Sequence, residues 1–282
     1  MKIRIITDSA ADVAASCRDR ITMVPLIVSF GDEEYLDGVT LSRDDFYRKL
    51  ESGSVTPKTG QAVPAVFEEY FAEVENAGEA AIVITVSSRL SGTYQSACIA
   101  AADHPNIRVV DSGSVTIGQG ILAEYACRRV EEGAELDALA AELEEKKDGI
   151  CVLAMLDTLE YLKRGGRISK TAAFAGGVLN IKPVVTIRGG EVAILGKARG
   201  SRKANNFLNE EIGRCGLDYD MPVLLGYAGV SDDLLKRYAE DSRALWEGKI
   251  DPLECAQIGT AVGTHAGPGT VAVAFFKSHK EN

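Results

Sequence analysis

The chain has 282 residues, 46% of them hydrophobic, and its 31 basic and 41 acidic residues give a formal net charge of −10. At about 100–200 residues per domain, this length predicts two domains rather than one. The acidic balance argues against broad nucleic-acid binding, which needs a basic face. No window approaches the ~20 apolar residues of a transmembrane helix. The start, Met1 to Ile6, is too short an apolar run for a signal peptide.

The six cysteines are scattered along the chain, and no two of them form a Cys-x-x-Cys pair. This spacing argues against a disulfide framework and against a metal site, so we expect reduced thiols and a cytoplasmic location. Asp8, Asp37 and Asp111 are too far apart in the sequence to indicate a metal site. Neither a phosphate-binding P-loop nor a dinucleotide-binding glycine motif after the first strand is present, so no nucleotide cofactor is predicted.

Strand and helix patterns alternate through the first half of the chain, which predicts a mainly parallel, layered α/β sheet. The predicted elements are a strand over 2–7, a helix over 10–17, a strand over 24–30, a helix from Ser42 to Glu51, a loop over 52–63, a helix over 64–76, strands over 81–86 and 107–111, and helices over 117–131 and 135–147.

The second half has a different rhythm, with a predicted hairpin, and we expect a second α/β domain there. Its predicted elements are a strand over 151–156, a helix over 157–164, strands over 181–187 and 192–195, a helix from Ser201, a strand over 223–228, a helix over 232–246 and a strand over 271–275. We place the two domains at residues 1–160 and 161–282.

The stretch Ser87-Ser88-Arg89-Leu90-Ser91-Gly92-Thr93 lies between a buried strand pattern and a helical pattern. A helix start leaves backbone N–H groups unpaired and carries partial positive charge, which favours an anion. Ligands of open α/β sheets bind at the carboxyl ends of strands. The stretch therefore predicts an anion site, with simple capping of the helix by Ser91 as the alternative.

Three further features are candidates for binding. Thr59 stands shortly before another helix start, which Pro64 opens. His265 lies in a predicted glycine-rich turn, where a purely structural histidine is the alternative. Arg167 and Arg199 suit carboxylate or phosphate recognition through their forked donors, and surface ion pairing is the alternative for each.

Taken together, these motifs resemble the DegV family of bacterial fatty-acid-binding proteins. The matching pieces span nearly the whole chain, and their joint order and spacing are specific. They are Ile6-Thr7-Asp8-Ser9, Thr59-Gly60-Gln61, Ser87 to Tyr94, Val110-Asp111-Ser112, Leu162 to Ile168, Asn180-Ile181-Lys182-Pro183 and His265-Ala266-Gly267-Pro268-Gly269. One departure is Gly60, where the family usually has serine, so we expect that side of the polar pocket to differ.

The resemblance implies a two-domain α/β protein that holds one long-chain fatty acid between its domains. It assigns the carboxylate-binding roles to Thr59, Ser91, Gly92 and His265. It also implies no cofactor, no catalysis by this chain alone, and a separate ATP-dependent fatty acid kinase that phosphorylates the bound carboxylate for phospholipid synthesis. Arg167 and Arg199 match family arginines near the carboxyl group and the partner surface.

Two other classes of function stay open at this stage. The first is an enzyme, either an acyl hydrolase with Ser91 as nucleophile and His265 as base, or a phosphocarrier that uses His265. Against the hydrolase, the Gly-x-Ser-x-Gly elbow is absent and no orienting acid is identifiable. The second is a regulatory or scaffold protein that does not take up acyl chains.

Overall fold

The computed structural model describes residues 1–53, 55–168 and 180–278. Its first part runs β1 (Ile3–Asp8), β2 (Ile21–Val24), β3 (Ile27–Phe30), β4 (Glu33–Leu36), α1 (Arg43–Glu51), β5 (Lys58–Gly60), α2 (Pro64–Asn76), β6 (Ala80–Thr85), α3 (Thr93–Ala100), β7 (Ile107–Asp111), α4 (Ile117–Glu131) and α5 (Leu136–Lys146). The second part runs β8 (Ile150–Met155), α6 (Glu160–Arg164), β9 (Ile181–Arg188), β10 (Glu191–Arg199), α7 (Ser201–Cys215), β11 (Val223–Tyr227), α8 (Asp233–Asp241), β12 (Cys255–Gln257), α9 (Thr260–Ala266) and β13 (Val271–Phe276).

The first part forms a four-stranded sheet in the order β2-β1-β6-β7, and every pairing in it is parallel. Residues Ala80 to Thr85 of β6 are all buried, as expected for a central strand with helices on both faces. The prediction of a mainly parallel, layered α/β sheet is therefore confirmed. A small antiparallel sheet in the order β4-β3-β5 stands beside it.

The second part forms a six-stranded sheet in the order β10-β9-β8-β13-β11-β12, in which only β11 and β12 pair in parallel. The predicted division at residue 160 stays a prediction. Strand β8 precedes that position, yet it pairs with β9 and β13, so membership of the second sheet begins at Ile150.

Two predicted elements in the first part are wrong. The predicted helix over 10–17 is replaced by a 3₁₀ helix over Ala15–Arg20, because Ala11 forms a bridge with Thr116 that holds the preceding residues extended. The predicted single strand over 24–30 is two strands, β2 and β3, in different sheets. Pro25 lies between them, and its missing N–H ends one ladder before the next begins.

Two further predictions missed part of the structure. The predicted loop over 52–63 contains strand β5, which pairs with β3 and so carries Thr59 into a sheet. The predicted helix over 232–246 ends at Asp241, and a separate 3₁₀ turn follows over Arg243–Leu245.

Candidate functional site

A cavity of about 450 Å³ lies between the parallel sheet and the six-stranded sheet. Its volume falls within the roughly 300–1,000 Å³ of small-molecule sites. Loops of the first part and strands of the second part both line it, and most of the lining is aliphatic: Ala10, Leu26, Val86, Leu90, Val115, Val152, Ala154, Leu156, Leu162, Val185, Ile187, Val192, Ile258, Ala261, Val262, Ala266 and Ala272. Such a wall suits a ligand with a large apolar part.

A smaller set of polar residues lines the same cavity: Thr59, Gln61, Ser91, Thr116, Arg167, Thr186, His265 and Thr270, together with Gly60 and Gly92. The four predicted carboxylate-binding residues and Arg167 therefore share one cavity. Arg199 is exposed on β10 and is not part of this lining.

Thr59 and His265 meet directly although they stand 206 positions apart in the sequence. The hydroxyl oxygen of Thr59 lies 2.9 Å from Nε2 of His265. Strand β5 holds Thr59 opposite Val28 of β3. Helix α9 carries His265 in its last turn, and the predicted glycine-rich turn begins only after it, at Gly267. Gly263, inside α9, serves close packing, because a Cβ there would lie 2.6 Å from the hydroxyl oxygen of Tyr47.

The imidazole of His265 is held neutral. Burial, together with the positive charge of Arg167, lowers its pKa to about 4. Its Nδ1 atom is buried and has no hydrogen-bond partner within the described ranges. Gly165 lies against that atom, since a Cβ at position 165 would stand 2.0 Å from Nδ1. The ring is thus fixed between Thr59 on one side and a glycine backbone on the other.

Arg167 connects the end of α6 to the loop before α3. Its Nη1 donates to the carbonyl of Gly165 at 2.7 Å, and its Nε donates to the carbonyl of Leu90 at 3.2 Å. It also lines a neighbouring opening with Arg89, Glu191 and Ile194. The guanidinium therefore lies between the apolar cavity and this second opening.

Ser91 lies at the start of α3 without being its cap residue. The cap position is Gly92, and the Ser91 hydroxyl oxygen accepts a hydrogen bond from the N–H of Thr93 at 3.3 Å. It also shares a hydrogen bond of 2.9 Å with the hydroxyl of Thr93. The first turn of α3 leaves N–H groups without intrahelical partners, which are available to an anion.

Gln61 shapes the wall beside this helix start, a role that sequence reasoning missed. Its Nε2 donates to the hydroxyl of Ser96 at 2.9 Å. A Cβ at Gly92 would lie 2.1 Å from its Oε1, so a larger residue at position 92 would displace the Gln61 amide. A Cβ at Gly60 would lie 3.2 Å from the Cβ of Ile27, and at that position the cavity wall is backbone rather than a hydroxyl.

Two buried aspartates, also missed, hold the first turn of α9. Oδ1 of Asp37 accepts hydrogen bonds from the N–H and the hydroxyl of Thr260, at 3.0 and 2.7 Å, and its Oδ2 accepts from the N–H of Ala261 at 3.2 Å. Oδ1 of Asp12 accepts from the N–H of Gly259 at 2.8 Å and lies 3.0 Å from Nη2 of Arg43. The signal in the sequence is slight, because only tertiary structure brings these carboxylates to α9.

Asp8 holds the loop that leads to Ser91. Its carboxylate accepts from the N–H of Val86 at 2.7 Å and from the N–H of Ala10 at 3.0 Å. Burial raises its pKa to about 6, and the two backbone hydrogen bonds act in the opposite direction. Asp8 therefore fixes the strand end from which the Ser87–Thr93 stretch departs.

In the residues that the structure describes, no group of three or more histidine, cysteine or acidic side chains has a geometry that could hold a metal ion. The same residues include no helix of the length and apolarity that crossing a membrane requires.

Comparisons with known proteins point to one family. The model of the DegV family matches residues 2–278. A DegV domain-containing protein of Caldanaerobacter subterraneus is 35% identical over 279 residues, which cover 97% of this chain and 98% of that protein.

Solved structures agree with the family match. A DegV family protein from Thermus thermophilus, described by its fatty acid binding, has a TM-score of 0.87 and 30% identity, covering 99% of this chain and 100% of that one. A stearic acid-binding protein from Eubacterium ventriosum has a TM-score of 0.83 and 27% identity, covering 98% of each chain. With its parallel sheet, its second sheet and the match across residues 2–278, this chain belongs to the DegV family.

Proposed function

We propose that this protein binds one long-chain fatty acid in the cavity between its sheets and presents the carboxyl group to a separate ATP-dependent fatty acid kinase. The observation that carries the proposal is the aliphatic cavity in which Thr59, Ser91, Gly92 and His265 are gathered. The fatty acids described for the Thermus thermophilus and Eubacterium ventriosum proteins support the ligand class.

The polar residues suit a carboxylate. With its proton on Nε2, the neutral His265 donates to the oxygen of Thr59, which leaves the hydroxyl hydrogen of Thr59 free to donate to the ligand. The hydroxyl of Ser91 and the N–H groups at Gly92 supply further donors. These groups offset the cost of removing a carboxylate from water.

The aliphatic wall supplies the affinity. Each buried methylene of the tail contributes about 0.8 kcal/mol, so a long chain is strongly favoured over a short one. The protein needs no catalytic group of its own for this role, and we propose that it functions as a carrier without turnover.

Native mass spectrometry of the purified protein, with identification of the lipid that denaturation releases, tests the ligand. We expect a one-to-one mass increment from a long-chain fatty acid. Thr59→Val and Ser91→Ala should each weaken binding of added fatty acid by about ten- to a hundredfold, since a hydrogen bond to a charged group contributes about 1.5–3 kcal/mol. An empty protein that also refuses added fatty acids would overturn the proposal.

Within the proposed kinase partnership, we assign roles to Arg167 and Arg199. Arg167 lies between the cavity and the neighbouring opening, where a guanidinium can stabilise the extra negative charge of an acyl phosphate. Arg199 is exposed, and we assign it to the surface that meets the partner. With an ATP-dependent partner and a role in phospholipid synthesis, the location that we propose is the bacterial cytoplasm.

The partnership is tested by measuring fatty-acid affinity and kinase-dependent phosphorylation for Arg167→Ala and Arg199→Ala. Arg237→Ala, at an exposed position of α8, serves as the control. We expect phosphorylation to fall in both variants by more than affinity does. If affinity collapses to the same extent as phosphorylation, the assigned division of labour is wrong.

The geometry does not favour the acyl hydrolase. In the described parts of the chain, the partner of His265 Nε2 is Thr59 and the Ser91 hydroxyl bonds Thr93, so no Ser91–His265 hydrogen bond is found.

A further inference from the structure

A second cavity of about 350 Å³ adjoins the first. Three residues line both cavities: Val152, Thr186 and Ile187. The second cavity is otherwise largely polar, with side chains that include Ser112, Ser114, Lys147, Arg188 and Lys277. The three shared residues therefore form a partition between an apolar compartment and a polar one.

The partition lies where β8 and β9 of the six-stranded sheet stop pairing with each other. The β8–β9 ladder ends at the Leu153–Thr186 pair, so Val152 and Ile187, the next residues in register, do not pair with each other. Each pairs only with its other neighbouring strand, Val152 with Ala274 of β13 and Ile187 with Val192 of β10. The hydroxyl of Thr186 donates to the carbonyl of Val152 at 2.7 Å and so links the two strands at this point. Side chains, rather than strand hydrogen bonds, thus close the opening between the cavities.

Gly118 lets this partition pack closely on α4. A Cβ at position 118 would lie 2.3 Å from Cγ2 of Val152 and 2.3 Å from Oγ of Ser114. Ser114 is buried, and its Oγ has no hydrogen-bond partner in the parts of the chain that the structure describes. Val152 therefore has the polar Ser114 side chain as a close neighbour on the side of the second cavity.

Along β8, the partition lies away from His265, and on its far side the second cavity reaches Ser87 and Arg89 of the loop that carries Ser91. Val271, at the start of β13 and shortly after His265, pairs with Met155 near the end of β8. Val152, Ala154 and Leu156 all line the cavity. At about 3.3 Å per residue, Val152 lies roughly 13 Å along the strand from Leu156. A chain anchored at His265 and extending along β8 reaches the partition with its tail.

We propose that Val152 and Ile187, linked by Thr186, are the stop for the end of the acyl chain and determine the chain length that this protein accepts. The inference rests on the proposed binding of a fatty acid. Each methylene that enters an apolar wall raises the affinity about fourfold. A methylene that passes the partition meets Ser114 and charged side chains instead, so this gain ends there.

The test is competition among straight-chain saturated fatty acids of increasing even carbon number, read by native mass spectrometry as the occupancy of each acid. Val152→Ala removes two carbons from the stop. We expect its preferred length to increase by about two carbons, with a roughly tenfold rise in the affinity of that longer acid relative to the wild-type optimum. Ile187→Ala should shift the preference in the same direction and provides a second variant.

Val262→Ala is the matched control, because it removes the same two carbons from the cavity wall on α9, near the carboxylate-binding end. We expect it to leave the preferred length unchanged. If the wild-type protein binds fatty acids but Val152→Ala and Ile187→Ala keep its length profile, the partition is not the stop. If the wild-type protein takes up no fatty acid, the proposed function itself has failed.

Discussion

At the scale of single residues, His265 combines a polar contact with a neutral charge. Burial and the nearby positive charge of Arg167 both disfavour a charged imidazolium, and for this reason the pKa of His265 is lowered. A neutral ring can hold Thr59 in position at neutral pH and leave the charge of the site to the ligand.

The lowered pKa predicts a pH dependence of stability. The unfolded chain protonates His265 near pH 6.5 and the folded chain near pH 4, so the unfolded state gains protons first on acidification. The free energy of unfolding should therefore fall by roughly 2 kcal/mol between about pH 7 and about pH 5 on account of this residue.

Urea unfolding of the wild type and of His265→Gln at both pH values measures that contribution. Asp8 and Asp12, whose pKa values burial raises to about 6, favour the folded state on acidification, but both proteins share this effect. The difference in the free energy of unfolding between the two proteins should change by roughly 2 kcal/mol between the two pH values. Parallel pH profiles would contradict the assignment.

Gly165→Ala provides a steric test of the same residue. Gly165 has helical dihedral angles, so alanine is tolerated by the backbone, but the new Cβ would collide with Nδ1 of His265. We expect fatty-acid affinity to fall about ten- to a hundredfold as the imidazole is displaced. Gly213→Ala, where nothing lies within 4 Å, is the control for isothermal titration and should bind as the wild type does.

At the scale of elements, α9 shows how a short helix is held in place. Its seven residues are too few for an isolated helix to be stable in water. Asp37 and Asp12 satisfy N–H groups of its first turn, and these aspartates belong to the first part of the chain. The position of His265 therefore depends on contacts between the two parts.

Replacing Asp37 by asparagine should loosen this helix. The amide keeps one acceptor oxygen and places an NH₂ group where Ser9 and Ala261 now donate to Oδ2. We expect a loss of about 2–3 kcal/mol in the free energy of unfolding, together with weaker fatty-acid binding. Asp32→Asn, at an exposed turn, should change stability by less than about 0.5 kcal/mol in the same urea titration. Equal effects of the two substitutions would rule out a special role for Asp37.

At the scale of the whole molecule, the cavity is built from both parts, because one sheet supplies strand-end loops and the other supplies strand faces. A bound acyl chain would contact both sheets at once. We therefore expect ligand binding to stabilise both parts of the chain against unfolding together.

Fatty acid at about a hundred times its dissociation constant should raise the free energy of unfolding by about 2.7 kcal/mol. For a chain of this size, calorimetry should show an increase of about 4–5 °C in the unfolding midpoint. The methyl ester of the same acid, which lacks the carboxylate, is the control and should give a smaller increase. Two separate transitions, of which the ligand moves only one, would contradict coupling between the parts.

The sequence by itself determined the alternation of strands and helices that makes the parallel sheet, because buried runs such as 80–85 carry a local pattern. It also supplied the family, through motifs whose order is visible without coordinates. The helix starting at Pro64 and the cap at Ser42 were predictable for the same reason, since proline and serine act within one turn.

Only the tertiary structure decided how these pieces meet. The contact between Thr59 and His265, the aspartates at α9 and the partition at Val152 join residues that are distant in the chain, and no local pattern specifies such contacts. His265 was assigned to a turn because Gly267 and Gly269, which both have positive φ, follow it closely, and only the structure shows that the helix continues to Ala266. Gly263, inside the helix, is instead required by the approach of Tyr47. The physical reason is that a glycine selected for close packing and one selected for a left-handed backbone are identical in sequence.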